Sequence, residues 1–525
     1  MQRINTKNIS SFSSIISSRQ IIKKHFNSRF ISSSNNVLKP RPTNISRASA
    51  ISSNSNDNQK IIPPQLSQMS FPCLEKLEKR SKDLEENLEN GPEPSYSKIT
   101  RENVEIFKSF QPLFLDYGGY LPNYEIAYET WGKLNDDKSN AILLHTGLSA
   151  SSHAHSTLKN PKNGWWEEFI GENKYLDTNK YFIICTNVLG GCFGSTGPQS
   201  NEPLLNQPYA TKFPILSVND MVRAQNNLIK NHFKINKLFA SIGSSMGGMQ
   251  CLAYAYEFTN EVNKIISISG CARSHPYSIA MRHCQRQVLM TDPNWNKGYY
   301  YNQLPPHTGM KLAREIATIT YRSGPEWEQR FGVERADPSQ KPALCPDFLI
   351  ETYLDHAGEK WCLEFDPNSF LYISKAMDLF DLGSRNRNKA FKSRCQSENI
   401  YSGEIIPESN LEFKSNNSCN FNNPIKTKNS RRFTPDEAQE DLLNGLSKFA
   451  HKDVLVIGVE SDILFPAWQQ KEIADILSKG SKLKGGNGNN IKHIELSHED
   501  SFYGHDTFLL AKDHIGKPIQ DFLNN

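Results

Sequence analysis

The stretch Gly243-Ser244-Ser245-Met246-Gly247-Gly248 constrains this chain more than any other. It follows the apolar run Leu238-Phe239-Ala240-Ser241-Ile242 and precedes Met249 to Tyr256, which reads as helix. A serine between glycines at a strand-to-helix junction predicts a turn so sharp that its neighbours must be nearly free of side chain. Such an elbow lifts the Ser245 hydroxyl clear of the backbone. It turns the following N–H groups, starting with Met246, toward the same space. The plainer alternative is a glycine-rich turn that closes a strand. The strand before, the helix after and the small residues throughout favour the nucleophile.

The chain has 525 residues, too many for one compact core, and parts of it cannot be core at all. Residues 1–56 carry Arg3, Lys7, Arg19, Lys23, Lys24, Arg29, Lys39, Arg41 and Arg47 among many Ser and Asn, and the first acidic residue is Asp57. Basic, serine-rich and acid-free is the composition of a mitochondrial transit peptide, so removal of this leader and a matrix destination are expected. A plain polar tail is the alternative. Residues 57–106 read as a charged linker, helical from Leu74 to Leu88, and residues 107–525 as the folded domain.

The net charge of +4 is small and comes largely from the leader, which gives no electrostatic ground for a nucleic-acid partner. No apolar run reaches the length of a membrane span, and none of the ten cysteines forms a C-x-x-C pair. The expectation is a soluble enzyme with reduced thiols, no membrane partner and no metal.

Within the domain, Ala141–His145, Tyr181–Cys185, Ile265–Ser269 and Val454–Gly458 are short continuous apolar runs between polar loops. That pattern suits strands buried on both faces of a mostly parallel sheet. Leu113–Asp116, a Tyr-Gly-Gly turn and Tyr124–Trp131 read as a hairpin, and Val218–Ile229 as an amphipathic helix. From about residue 271 to 391 the pattern becomes helical, at Tyr277–Met290, Gly309–Tyr321, Pro325–Phe331, Phe348–Phe365 and Ser369–Leu379. From about residue 383 to 432 it turns rich in Asn, Ser and Lys and reads as a disordered insertion. The fold class is therefore α/β: an α/β-hydrolase fold with a mostly parallel central sheet and an inserted helical lid.

A nucleophilic serine needs a histidine to take its proton and a carboxylate to hold that histidine. In this fold the chain order is serine, acid, histidine. Asp462 lies just past a strand, with Glu460 as its rival; His493, His498 and His505 follow. His505, after a flexible glycine at the start of the last helical segment, is the one placed to swing toward the elbow.

With these stretches in hand, the chain resembles the homoserine O-acetyltransferase family of amino-acid O-acyltransferases over most of residues 107–525. The resemblance is carried by Gly164-Trp165-Trp166, Asn187 to Pro198, the elbow, Ala313-Arg314, Ile319 to Ser323, Ser461 to Pro466 and Gly504-His505-Asp506. It implies a triad of Ser245, Asp462 and His505, with Arg314 gripping the acceptor carboxylate and Asp506 meeting its ammonium. The substrates it implies are acetyl-CoA or succinyl-CoA and L-serine or L-homoserine, with no bound cofactor and a homodimeric assembly. One segment departs from the family. Where the family reads His-Ala-Leu-Thr-Gly, this chain has His145-Thr146-Gly147-Leu148-Ser149 and continues to His153. Within the 146–149 window Leu148 is the choice for the second oxyanion N–H, beside Met246. This loop, the leader and the Gly190 to Pro198 segment look more like the fungal serine O-acetyltransferase branch. The expected reaction is acyl transfer to serine by a ping-pong route, as a serine O-acetyltransferase making O-acetyl-L-serine. The alternatives are transfer to homoserine, a serine hydrolase on the same triad, and a non-catalytic binding protein.

Overall fold

The apolar runs read as buried strands lie side by side in one eight-stranded sheet. The computed structural model describes Lys79 and residues 103–403 and 432–525. The predicted leader, most of the linker and residues 404–431 of the predicted insertion lie outside the described residues. In chain order the strands are β1 (Glu105–Ser109), the small pair β2 (Leu113–Phe114) and β3 (Tyr120–Leu121), β4 (Tyr124–Trp131) and β5 (Ala141–His145). A second small pair, β6 (Ile170–Gly171) and β7 (Leu176–Asp177), precedes β8 (Phe182–Thr186), β9 (Leu238–Ser244), β10 (Val262–Ile268), β11 (Asp453–Val459) and β12 (Ile491–Leu496).

Across the sheet the order is β1-β4-β8-β5-β9-β10-β11-β12. The run from β8 to β12 is parallel, and β4 adds to it antiparallel, as does β1 to β4. Alternate residues of β5 face opposite ways. Leu143 enters one core with Ile184, Met246 and Met249, while Ile142 and Leu144 enter the other with Ile183, Ile242 and Phe508. Both faces are thus covered, which is why these strands are apolar throughout.

The helices are α1 (Val218–Asn227), α2 (Met246–Glu257), α3 (Pro276–Thr291), α4 (His307–Tyr321), α5 (Gly324–Phe331), α6 (Leu349–Trp361), α7 (Pro367–Asp378) and α8 (Ser384–Tyr401). After them come α9 (Pro435–Leu446), α10 (Ala467–Leu483), α11 (Thr507–Leu510) and α12 (Lys512–Asn524). Helices α3 to α7 fill the block predicted as a lid, with α3 packed on α4 and α4 on α6. Their starts are written locally. Ser323 accepts from the Glu326 N–H ahead of α5, Asp366 accepts from the Ser369 N–H ahead of α7, and each helix has a proline in its first turn.

Two expectations are corrected. The Tyr-Gly-Gly turn does not join β4 to its partner. It closes only the two-residue pair β2–β3, because Gly118 and Gly119, at φ of 90° and 76°, reverse the chain at once. Strand β4 instead pairs with β1 and β8. The predicted disordered insertion also begins too early, since residues 384–401 form helix α8. Its composition hid it: only Arg387 and Ala390 of its 18 residues are buried. Ion pairs hold it, together with Tyr401, which packs edge-on against Phe114 and Tyr120. Arg387 and Arg394 both bond to the buried carboxylate of Asp116.

Candidate active site

Ser245 sits between β9 and α2 with φ 59° and ψ −124°, a backbone conformation that residues with a Cβ rarely adopt. The turn is held from below by its own N–H, which donates to the Ile268 carbonyl at 2.9 Å. The flanking glycines are steric requirements. A Cβ on Gly243 would stand 2.2 Å from the Gly247 carbonyl oxygen, and one on Gly247 would stand 2.4 Å from that of His145. Helix α2 starts at Met246 with no side chain capping it, so its first N–H groups and the positive end of its dipole are left for a ligand.

Asp462 and His505 are brought together from the loops after β11 and β12. The Nδ1 of His505 lies 2.6 Å from Asp462 Oδ2, with both side chains buried. The other oxygen of Asp462 accepts the N–H groups of Leu464 at 2.9 Å and Phe465 at 2.8 Å. A carboxylate oxygen accepts, so His505 donates its Nδ1–H to Asp462, and Nε2 is left as the basic nitrogen. Nε2 is buried and has no hydrogen-bond partner. Phe465 stacks on the imidazole at 5.1 Å and Phe508 meets it edge-on at 5.4 Å, so the ring has little freedom to turn.

The rival groups fall elsewhere. Glu460 accepts the His498 N–H at 3.1 Å, and the two side chains form a loose surface pair, 50% and 54% exposed. His493 lies on β12 and is half-buried, and desolvation lowers its pKa.

Arg314 lies on α4 between two aromatic faces, 5.1 Å from the Tyr321 ring and 5.1 Å from the Trp361 ring. Its Nε is buried without a hydrogen-bond partner, and Glu315 turns instead to Lys311 at 3.9 Å. Asp506 pairs with Arg322 at 3.2 Å, a contact the sequence reading missed. Burial raises the Asp506 carboxyl above its ordinary value, against the pull of Arg322, His505 and Arg314. Arg322 in turn bonds Glu326 on α5 and reaches the Tyr353 hydroxyl on α6 at 3.4 Å. Ile319 to Ser323 was singled out in the sequence, so the signal was there, but nothing in it named the partner.

The loop after β5 is anchored by a second network that sequence reading did not find. Glu129 on β4 accepts the Ser152 hydroxyl at 2.9 Å with one oxygen and faces His153 Nδ1 at 2.9 Å with the other. Asn187 takes the Ser152 N–H at 2.7 Å, and Trp165 donates its indole N–H to the Ser151 carbonyl at 2.9 Å. Leu148, the expected oxyanion donor, lies on this loop with its side chain packed against the core.

Ser245, Asp462 and the 146–149 loop follow the carboxyl ends of β9, β11 and β5, and His505 lies in the loop after β12, where open α/β sheets place their ligands. A buried serine, an unpartnered histidine nitrogen and an uncapped helix start define a site for acyl chemistry. The alpha/beta hydrolase fold family matches residues 140–484, and the chain belongs to it. Within it the chain belongs with the amino-acid O-acyltransferases. It is 57% identical over 468 residues to a serine O-succinyltransferase of Emericella nidulans, covering 87% of this chain and 88% of that one. It is 51% identical to a serine O-succinyltransferase of Schizosaccharomyces pombe, covering 87% and 95%. Among solved structures, a homoserine O-acetyltransferase from Bacillus anthracis superposes with a TM-score of 0.61 at 24% identity, over 81% of this chain and 99% of that one. Esterase E22 does so at 0.62 and 22% identity, over 80% and 99%.

Proposed function

We propose that this protein transfers a succinyl group from succinyl-CoA to the hydroxyl of L-serine by way of an acyl-enzyme on Ser245. His505 Nε2 takes the Ser245 proton as Oγ attacks the thioester carbonyl. N–H groups at the start of α2 and in the 146–149 loop receive the oxyanion. The carbon–sulfur bond then breaks and CoA leaves with the proton from His505. In the second half His505 takes the proton of the acceptor hydroxyl, which attacks the acyl carbonyl, and Ser245 leaves with that proton restored.

The observation that carries this reading is the charge pattern beside the histidine. Asp506 follows His505 directly, and the Arg314 guanidinium nearby has an unpartnered Nε. An amino-acid zwitterion offers the carboxylate and ammonium that such a cation and anion would hold. A hydrolase taking water as acceptor has no use for them. Serine as acceptor, and succinyl in place of the acetyl group expected from the sequence, are supported by the names of the 57% and 51% identical relatives. A mitochondrial destination is supported by the acid-free leader composition.

The test offers purified enzyme serine and homoserine, each with succinyl-CoA and acetyl-CoA. Serine with succinyl-CoA should give the highest kcat/KM. The extra methylene of homoserine displaces its hydroxyl by about an ångström, which costs up to roughly 10²-fold. A higher kcat/KM for homoserine would overturn the acceptor, and a higher one for acetyl-CoA would overturn the donor.

A further inference from the structure

We propose that Gln250 is a positioning residue of the acyl-transfer site: by gripping the Thr146 carbonyl it aims the Gly147 N–H, rather than that of Leu148, at the oxyanion. The inference rests on the reading of Ser245 as the acyl carrier.

Gln250 lies on α2, one turn beyond Met246, and is fully buried. Its Nε2 donates to the Thr146 carbonyl at 2.8 Å. A carbonyl can only accept, so the amide must present its NH2 there, and its own oxygen is left to accept. It does accept, from Nε2 of the equally buried Gln225 on α1 at 2.8 Å. The amide is therefore locked at both ends. Beside this relay His145 is held neutral by burial, its pKa pushed down to about 3, with Nε2 2.8 Å from the Ser241 hydroxyl. No charge competes for the Thr146 carbonyl.

The consequence follows from peptide geometry. In a trans peptide the carbonyl of one residue and the N–H of the next point in opposite directions in one plane. With the Thr146 carbonyl drawn toward α2, the Gly147 N–H is turned away from it, out of the core. Beside its Cα the loop is open as well: a Cβ on Gly147 would meet nothing within 4 Å. On the other side the fit is close. A Cβ on Gly247 would stand 2.4 Å from the His145 oxygen and 3.4 Å from that of Thr146. The loop backbone is thus laid on the first turn of α2, beside Met246, the other expected oxyanion donor. Gln250 ties the two donor-bearing segments together through its bond to the Thr146 carbonyl.

The test uses p-nitrophenyl acetate, read as the burst of nitrophenolate released when Ser245 is acylated. Gln250→Met, which keeps the length and loses the donor, should lower the acylation rate constant about 10- to 10²-fold with little change in the concentration that half-saturates it. Affinity for a phenylboronic acid, which forms a tetrahedral adduct on the serine, should fall by the same factor. A purely structural role would not produce that match. Gln225→Met leaves the Thr146 bond in place and should lower the rate less, by about 3- to 10-fold. It also keeps the question open to refutation should Gln250→Met fail to fold. An unchanged acylation rate in folded Gln250→Met, or in Gln225→Met if that is the variant that folds, overturns the inference. The probe needs neither CoA nor serine, so a normal burst without transfer to serine would sink the substrate reading alone.

Discussion

Two clusters of buried charge sit in this molecule, and they are finished differently. Beneath α8, the carboxylate of Asp116 meets Arg223 at 3.0 Å, Arg387 at 2.8 Å and also Arg394, while Glu257 meets Arg387 at 3.1 Å and Arg223 at 3.5 Å. Asp220 bonds Arg223 as well. Desolvation alone would raise the Asp116 carboxyl, but the three guanidiniums outweigh it and hold it well below the usual carboxylate range. Every guanidinium there has a carboxylate. Around His505 the accounting is left open: among the described residues Arg314 forms no ion pair, unlike those three arginines, and His505 Nε2 is buried without a hydrogen-bond partner. A structural cluster gives each cation an anion of its own, whereas the candidate site keeps a cation and a basic nitrogen that nothing in the described residues pairs.

The sharpest way to break that comparison is to remove the open groups. Ser245→Ala should cost on the order of 10⁴-fold or more in transfer rate, and His505→Ala nearly as much, because such residues act as a unit. His498→Ala should stay close to wild type, since His498 makes only a surface pair with Glu460. Steady-state transfer rates decide it, and a crippled His498→Ala would mean that the wrong histidine has been placed at the site.

Next in size is the exchange of roles between two arginines. Arg387→Met should destabilise the fold by roughly 3–5 kcal/mol, the cost of taking one partner from a buried ionic set, and leave kcat in place. Arg314→Met should do the reverse. It should lose about 10- to 10²-fold in kcat/KM for the acceptor, in line with roughly 1.5–3 kcal/mol for a hydrogen bond to a charged group, with little change in Tm. Urea unfolding and acceptor kinetics on both variants separate the effects. Equal losses of stability would show that Arg314 also belongs to a structural cluster.

The two clusters were not equally legible in the sequence. The elbow could be read because its steric demands fall within six residues, and Asp462 and His505 because loops after strands fix their place. Arg322 could not be matched to Asp506, which lies 184 positions on, since no local rule pairs an arginine with one carboxylate rather than another. The Asp116 cluster was missed altogether. Its partners are up to 278 positions apart, and two of them stand on a helix whose sequence lacks an apolar face. The periodicity that reveals helices reports burial of apolar stripes, and α8 is docked by ion pairs and by Tyr401 at its end.

The smallest expected effect tests whether the loop after β5 belongs with the closed cluster or the open one. His153 lies with Nδ1 2.9 Å from Glu129 Oε2 and Nε2 2.8 Å from the Lys162 carbonyl. A carboxylate and a carbonyl only accept, so both ring nitrogens must donate and the ring is an imidazolium. Its pKa is raised, first by the hydrogen bond to Glu129, against desolvation, with help from the Lys162 carbonyl and the charge of Glu167. A histidine whose folded pKa lies above its unfolded value stabilises the fold fully below the unfolded pKa of about 6.5, and the contribution fades as pH rises through the folded one. His153→Gln should therefore show its largest deficit in Tm at mildly acidic pH, and the gap from wild type should narrow toward about pH 9. A gap that stays flat from about pH 5 to about pH 9 would mean a neutral ring. The loop would then be held by Asn187 and Trp165 without a buried ion pair.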